Sequence, residues 1–291
     1  MMAEATTPTM SLRDIVALTK PRLTALVLCT TAGGLWLAGG RFQTLRALLA
    51  LIGTTLAVAG AHALNSWIER DLDALMERTR DRPLPTGRVD PRFALALGVA
   101  FSIVSVPTLW FGVNPLTGLL GALALGSYVL VYTPMKTRSP AALFVGAIPG
   151  ALPPLMGWTA ETGRVEWPGV VLFAILFLWQ LPHFLAIAVG RKEDYARAGM
   201  KTFPLVHGDA SARRHSIAYV LALIPLTLAL VPLKVAGTLY LVAAIGLGAL
   251  FLWASVFGWR PGNERRWARR LFFVSLAHLT GLFVALMVDA V

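Results

Sequence analysis

A long apolar run that ends in a polar stripe decides the fold of this chain. Residues 46–73 read RALLALIGTTLAVAGAHALNSWIERDLD, with no acidic residue before Glu69. A run of roughly 20 apolar residues is long enough to cross a bilayer as a helix. Polar residues then follow at intervals of four: Asn65, Glu69 and Asp73. The stretch therefore predicts a membrane helix that carries three oxygen-bearing side chains on one face of its end.

The rest of the chain has the composition of a polytopic membrane protein. It has 291 residues, is 56% hydrophobic with a mean hydropathy of +0.67, and is 14% charged, whereas a soluble domain carries about 25% charge. We therefore predict an all-α fold, a single transmembrane domain over residues 1–291 with a short cytoplasmic tail at about 1–20. The nine predicted spans are residues 23–40, 46–66, 93–111, 115–133, 141–158, 168–189, 215–232, 236–256 and 270–288.

Lysine and arginine residues fall almost entirely on one side of this predicted bundle. The N-terminal tail and the loops after spans two, four, six and eight hold 22 of the 26, when Arg270 at the start of the ninth span is counted with its loop. Because cytoplasmic loops carry the excess of basic residues, we expect a bacterial cytoplasmic (inner) membrane protein with its N-terminus inside and its C-terminus in the periplasm. These short loops explain the net charge of +11, so we expect no nucleic-acid partner.

The only cysteine, Cys29, lies within the first predicted span. A single cysteine cannot form an intramolecular disulfide. We expect a buried structural thiol.

Arginines follow the polar stripe and suggest a binding site for a phosphorylated substrate. Carboxylate and amide oxygens suit Mg²⁺, which often shares its ligands between carboxylates and substrate phosphates. We expect the helix to run on until Pro83 ends it, which places Arg78 and Arg82 one turn apart. Their planar guanidinium groups match phosphate oxygens. A metal and arginines together would stabilise a departing diphosphate. The alternative is a solvated helix end with ordinary charge pairs.

A second cluster follows the sixth predicted span. Asp194 and Lys192 lie just after the helix, which suggests a second point of contact with a metal or a diphosphate. Within the span, His183 follows Pro182 in an otherwise apolar run. This histidine is either a hydrogen-bonded core residue or a ligand or contact of heme iron. His62, three residues before Asn65, is a weaker candidate for the same role.

A third polar group ends the fourth predicted span. Lys136 and Arg138 could contact a phosphate or a heme propionate, or could simply anchor the loop on the basic side. Tyr132 belongs either to an interfacial aromatic belt or to a surface that faces an allylic cation. Lys20, before the first span, has the same two interpretations as Lys136.

Four stretches of the sequence resemble the UbiA superfamily of intramembrane prenyltransferases, and within it the members that farnesylate heme. That family has nine transmembrane helices and two acidic motifs, on the loops after helices two and six. The stretches are Thr19–Arg22 with Gly33 and Gly34, the block from Asn65 to Gly87, Tyr132 with Gly150–Trp158, and Trp179–Phe184 leading to Gly199. Ser66 and Glu69 stand where the broad family pattern has aspartates, and Ser66 argues against a quinone-type member.

The resemblance implies that the chain transfers the farnesyl group of farnesyl diphosphate to heme b, giving heme O and diphosphate for the maturation of heme-copper terminal oxidases. Heme A synthase or an oxidase assembly protein would be a further partner. Mg²⁺ would be the cofactor, held by Asn65, Glu69, Asp73 and Asp194. Arg78, Arg82, Lys136, Arg138 and Lys192 would bind the diphosphate, Tyr132 would assist catalysis, and His183 and His62 would contact heme.

Three other functions stay open on the sequence. A quinone precursor or another aromatic acceptor could replace heme in the same chemistry. A secondary transporter would place its ion site near the middle of the bilayer, whereas the acids here lie at one surface. A non-catalytic assembly factor for oxidases is the third alternative.

Overall fold

The computed structural model describes residues 10–39 and 44–290, and their regular structure is helical apart from one isolated bridge between Ala236 and Ala290. The predicted all-α fold is therefore confirmed. The helices are α1 (Leu12–Leu18), α2 (Pro21–Leu37), α3 (Leu45–Ile68), α4 (Arg70–Ala74), α5 (Pro91–Gly112), α6 (Pro115–Gly126), a π-helix (Ser127–Tyr132), α7 (Thr133–Met135), α8 (Ala142–Thr162), α9 (Trp167–Gly190), α10 (Lys192–Arg197), α11 (Phe203–His207), α12 (Asp209–Leu228), α13 (Thr238–Val256) and α14 (Glu264–Val288).

Eight of the nine predicted spans overlap a long helix, and the fourth consists of α6, the π-helix and α7 in succession, but the count of nine membrane crossings is not confirmed. Within the described residues, seven helical segments are long and apolar enough to cross a bilayer, and α1 with α2 forms an eighth, bent by 48°. The predicted seventh span corresponds to α12, whose first turns carry Asp209, Arg213 and Arg214. Part of the predicted tail is the helix α1, and residues 1–9 and 40–43 lie outside the described residues.

Ion pairs show which loops meet at the same end of the bundle. They join the N-terminal segment to the loop after α4, the segment after α7 to the end of α3, and α10 to the loop after α4 and to the first turn of α14. The pairs are Asp14–Arg88, Lys136–Glu69, Arg197–Glu77 and Arg265–Glu193. These are the predicted basic loops, so the charge asymmetry corresponds to one physical end of the molecule.

Small residues let the central helices touch at their backbones. A Cβ on Gly157 of α8 would lie 1.9 Å from the carbonyl oxygen of Thr31 in α2, so only glycine fits at this crossing. Close packing through small residues is the usual way in which membrane helices associate. Cys29, on the same helix as Thr31, is exposed on the bundle surface. The prediction of a buried thiol was wrong, because an apolar span has a lipid-facing side as well as a packed one.

Candidate active site

The polar stripe lies at the basic end of the bundle and is buried there. Asn65 is 1% exposed, Glu69 4% and Asp73 1%. The Glu69 amide donates to the Asn65 carbonyl at 2.9 Å and the Asp73 amide to the Glu69 carbonyl at 2.7 Å, so helical hydrogen bonding continues past the end of α3. The structure therefore brings these three side chains together on one face, as their spacing predicted.

Each carboxylate of the stripe is paired with a cation from another part of the site. Lys136 Nζ lies 2.8 Å from Glu69 Oε1, and Arg82 Nη1 donates to Asp73 Oδ2 at 2.7 Å. Burial opposes the charge on Lys136, but Tyr132 and Glu69 outweigh it and hold the pKa of the lysine above its usual value. The site is therefore a buried array of alternating charges and not a solvated helix end.

Asn65 connects the stripe to two elements that the sequence did not predict as its neighbours. Its Oδ1 accepts a hydrogen bond from Lys20 Nζ at 3.0 Å, and its Nδ2 donates to Thr133 Oγ1 at 3.2 Å. Thr133 in turn donates to the Tyr128 carbonyl at 2.8 Å, at the end of the π-helix. π-Helical turns are often found at functional sites. The sequence signal for Thr133 was its polar side chain at the end of an apolar span.

A cavity opens beside the stripe, and its lining includes Lys20, Ser66, Asp73 and Arg82. Of the charged residues in this lining, Lys20 and Arg82 are basic and Asp73 is acidic. Positive charge therefore exceeds negative charge at this cavity. Such a cavity favours an anionic ligand.

The chain reverses after α4, which corrects the expectation that the helix runs on to Pro83. α4 ends at Ala74, and residues 75–88 form turns and bends. In a continuous helix Arg82 would lie about 13 Å along the axis from Asp73. Here the reversal brings the two into contact. Arg78 remains exposed, so the two arginines do not share a helix face.

Of the predicted second cluster, Asp194 lies at the loop that follows the stripe, whereas Lys192 does not. Asp194 accepts hydrogen bonds from Arg197 and, at 3.4 Å, from the Glu77 amide, so the two acidic loops touch. Lys192 is bonded instead to Asp209 at 2.9 Å. Arg138, in the third predicted group, is exposed. Of the predicted diphosphate-binding residues, only Arg82 and Lys136 directly contact the buried stripe.

The two candidate histidines differ in their surroundings. Nδ1 of His183 lies 2.8 Å from Ser275 Oγ, and its ring stacks on those of Trp179 and Phe272 at 4.8 and 4.9 Å. These contacts support the interpretation of His183 as a hydrogen-bonded core residue. His62 lies edge-on to Tyr128, and its buried Nδ1 has no hydrogen-bond partner among the described residues.

Two tyrosine rings and a lysine lie together beside the stripe. The rings of Tyr128 and Tyr132 are 5.3 Å apart, and Lys136 Nζ lies 4.5 Å from the centre of the Tyr132 ring. Gly146 makes this possible, because a Cβ there would lie 2.4 Å from Tyr132 Cε2. The faces of such rings are electron-rich and attract cations.

The donor atoms of the stripe fit Mg²⁺. Two carboxylates and one amide oxygen are hard ligands, and Mg²⁺ usually completes its shell with water and substrate phosphate. In the part of the chain that the structure describes, no three His, Cys, Asp or Glu side chains converge as a metal site, so Asp194 does not join Glu69 and Asp73 in one group. The stripe would hold the ion through Asn65, Glu69 and Asp73.

Comparisons with known proteins agree with this geometry. The UbiA prenyltransferase family matches residues 26–277. "Protoheme IX farnesyltransferase" of Myxococcus xanthus is 52% identical over 96% of this chain and 95% of its own, and the protein of the same name from Gloeobacter violaceus is 42% identical over 99% and 96%.

Two solved structures share the fold. A structure described as one of digeranylgeranylglyceryl phosphate synthase has a TM-score of 0.81 at 17% identity, covering 96% of this chain and 98% of its own. A UbiA homolog from Archaeoglobus fulgidus bound to GPP and Mg²⁺ has a TM-score of 0.71 at 18% identity, covering 94% and 99%. With a family match across most of the chain and relatives above 40% identity along nearly all of it, this chain belongs to the UbiA prenyltransferase family.

Proposed function

We propose that this chain transfers the farnesyl group of farnesyl diphosphate to a vinyl group of heme b, giving heme O and diphosphate. The observation that carries the proposal is the buried stripe Asn65–Glu69–Asp73, bordered by Lys136 and Arg82 at the end of an apolar bundle. The relatives named protoheme IX farnesyltransferase support the choice of acceptor.

The first step breaks the bond between C1 of the farnesyl chain and the diphosphate oxygen, and the electron pair leaves with the diphosphate. Mg²⁺ on the stripe would supply charge neutralisation for this leaving group. Arg82 and Lys136 provide fixed cations around it, which stabilise negative charge as it develops. We propose that Arg78, Arg138 and Lys192 only attract the diphosphate towards the site by their charge, since they do not contact the buried stripe.

The second step joins farnesyl C1 to the terminal carbon of the vinyl group. The Tyr128 and Tyr132 rings would shelter the allylic cation until attack. Water then adds to the cation left on the heme substituent and loses a proton, which leaves a hydroxyl group. His62 is the better placed of the two histidines to contact the porphyrin, because its Nδ1 is free of protein partners among the described residues while that of His183 is bonded to Ser275.

We also propose that the stripe faces the cytoplasm of a bacterial cell and that the C-terminus lies in the periplasm. The excess of lysine and arginine on the loops at the stripe's end of the bundle supports this orientation. Farnesyl diphosphate would then reach the site from the side on which diphosphates are made, and heme O would pass on to heme A synthase or to oxidase assembly.

The test is a reconstituted reaction. Full-length protein in lipid nanodiscs is incubated with heme b, farnesyl diphosphate and Mg²⁺, and the product is analysed by mass spectrometry for heme carrying a farnesyl and a hydroxyl group. We expect this product to disappear with EDTA, to return with added Mg²⁺ and to fall at least 100-fold in Asp73→Asn. Prenylation of a quinone precursor without any change in heme would refute the acceptor.

A matched variant separates the stripe from the nearby surface charges. Asp71 lies two residues from Asp73 on the same short helix, but it is exposed and pairs only loosely with Arg70 at 3.7 Å. Asp71→Asn removes the same charge without touching the stripe. We expect its turnover to stay within about twofold of the wild type, and an equal loss in the two variants would argue against a specific role of Asp73.

A further inference from the structure

The first turns of α14 carry three arginines on one side of the helix, followed by an aromatic ring. The arginines are Arg266, Arg269 and Arg270. Phe273 comes one turn after Arg269, and the guanidinium carbon of Arg269 lies 5.9 Å from the centre of its ring. Residues at these intervals share one side of a helix. Arg266, Arg269 and Phe273 are exposed, so the three arginines, named here the arginine face, border the outer surface of the bundle.

The end of α13 forms the other border of the arginine face. The guanidinium carbon of Arg270 lies 4.9 Å from the centre of the Trp253 ring, in the last turn of α13. Arg270 also donates to the carbonyl of Ala254 at 3.2 Å and to that of Phe257. Carbonyls at the end of a helix lack partners within it, so these bonds fix Arg270 in place. Trp253 and Phe257 are themselves exposed beside it.

The positive charge of the arginine face is not neutralised by the protein. Within the described part of the chain, no carboxylate forms an ion pair with any of its three members. Arg265, on the same helix, does have such a partner, since it pairs with Glu193 of α10. The neighbouring acid in the sequence, Glu264, accepts a hydrogen bond from the Gly262 amide at 2.9 Å. The charge of the arginine face is therefore available to an anionic ligand.

The arginine face lies where the apolar part of α14 begins. From Leu271 to Val288 this helix contains no Asp, Glu, Lys or Arg, and Trp253 marks the corresponding level on α13. Tryptophan is enriched at the surface of the bilayer, where its ring meets the lipid headgroups. The preference for basic residues on one side of a membrane requires only that they lie on that side. It does not require their alignment above exposed rings.

We infer that the arginine face binds the headgroup of an anionic phospholipid. The phosphate oxygens accept hydrogen bonds from the exposed guanidinium groups of Arg266 and Arg269, whose planar forks match them. Arg270 adds a fixed charge, and the acyl chains lie against Phe273 and Trp253. The inference goes beyond the proposed function, because the lipid is neither the prenyl donor nor the acceptor and its site lies on other helices than the buried stripe.

The test measures the selectivity of the full-length protein for lipid headgroups. Native mass spectrometry of protein released from mixed micelles gives the number of bound lipids and the Kd for phosphatidylglycerol and for phosphatidylcholine. We expect the wild type to retain one phosphatidylglycerol, bound at least about tenfold more tightly than phosphatidylcholine. The double variant Arg266→Gln, Arg269→Gln should reduce this preference to about twofold or less. Its affinity for phosphatidylcholine should not change, which shows that it is folded.

A matched double variant controls for the general effect of basic residues at this end of the bundle. Arg13→Gln with Arg92→Gln removes two exposed arginines from the first turns of α1 and α5. We expect this variant to keep the wild-type preference for phosphatidylglycerol. Free glycerol phosphate, added at the concentration of the lipid, presents the same anion without acyl chains and should not displace it.

Each alternative outcome overturns the inference. A wild type without a preference for phosphatidylglycerol has no such site. An undiminished preference in Arg266→Gln, Arg269→Gln places the lipid elsewhere, and an equal loss in the control variant assigns the preference to the total charge. Displacement of the lipid by free glycerol phosphate identifies a site for a soluble phosphate. None of these results depends on whether the protein farnesylates heme.

Discussion

The ion pair of Glu69 and Lys136 allows a test of whether Glu69 contributes to the reaction or only neutralises the charge of Lys136. Their side chains are 6% and 18% exposed, and their charged atoms are 2.8 Å apart. At an effective dielectric constant of about 20, two unit charges at that distance attract by about 6 kcal/mol before desolvation is counted. Removing one partner of a buried pair typically costs about 3–5 kcal/mol, because the other charge is left uncompensated.

The experiment is a double-mutant cycle with Glu69→Gln and Lys136→Met. We expect each single variant to lose about 3 kcal/mol of unfolding free energy, and the double variant to recover to within about 1 kcal/mol of the wild type. Unfolding is measured by denaturant titration of the purified protein in mixed micelles. Turnover is measured on the same samples by mass spectrometry of the heme product.

Stability and turnover should respond differently in this cycle. Because Lys136 is itself a proposed diphosphate-binding residue, the turnover of the double variant is compared with that of Lys136→Met. If Glu69 belongs to the metal-holding stripe, the double variant regains stability but turns over more slowly than Lys136→Met. A double variant with the same turnover as Lys136→Met would refute the place of Glu69 in the stripe. Single variants as stable as the wild type would refute the reasoning about the buried pair.

Two further predictions concern packing beside the site. Gly146→Ala should displace the Tyr132 ring, because the new Cβ would lie 2.4 Å from it, and should lower kcat at least about tenfold in a turnover assay. Gly126→Ala, where nothing lies within 4 Å of the new Cβ, should leave kcat within about twofold, and equal effects would contradict the steric argument. His183→Ala should lower the unfolding free energy by about 2–4 kcal/mol, since it removes a buried ring and the bond to Ser275. If His183→Ala keeps wild-type stability but loses heme affinity, the core-residue interpretation is refuted and His183 is a heme contact.

The fold was largely predictable from the sequence, because an apolar run in the sequence corresponds to each long helix. Residues 168–189 were predicted to span the membrane, and α9 runs from Trp167 to Gly190. The exception is α12, where Arg213 and Arg214 lie within the helix and hydropathy alone does not define a span. The exposure of Cys29 was mispredicted, since composition does not show which side of a helix faces the lipid.

The candidate site was predictable only where it is local in sequence. Asn65, Glu69 and Asp73 share a helical face, so their spacing was enough. Arg82 contacts Asp73 because the chain reverses after Ala74. Lys136, which directly follows α7, contacts Glu69 because the segment after α7 packs against the end of α3. Periodicity carries no information about contacts of this kind, which depend on how whole helices pack against each other.

The π-helix at Ser127–Tyr132 makes the site depend on the winding of one short segment as well as on its side chains. Relative to an α-helix, this segment of 6 residues accommodates one extra residue before Thr133. If the same residues were α-helical, Thr133 and Lys136 would be rotated by about 100° with respect to α6. Both would then leave their partners Asn65 and Glu69, although every polar residue of the site would still be present. Relatives of this chain that lack one residue here should therefore form a regular α-helix and keep the same side chains at the site.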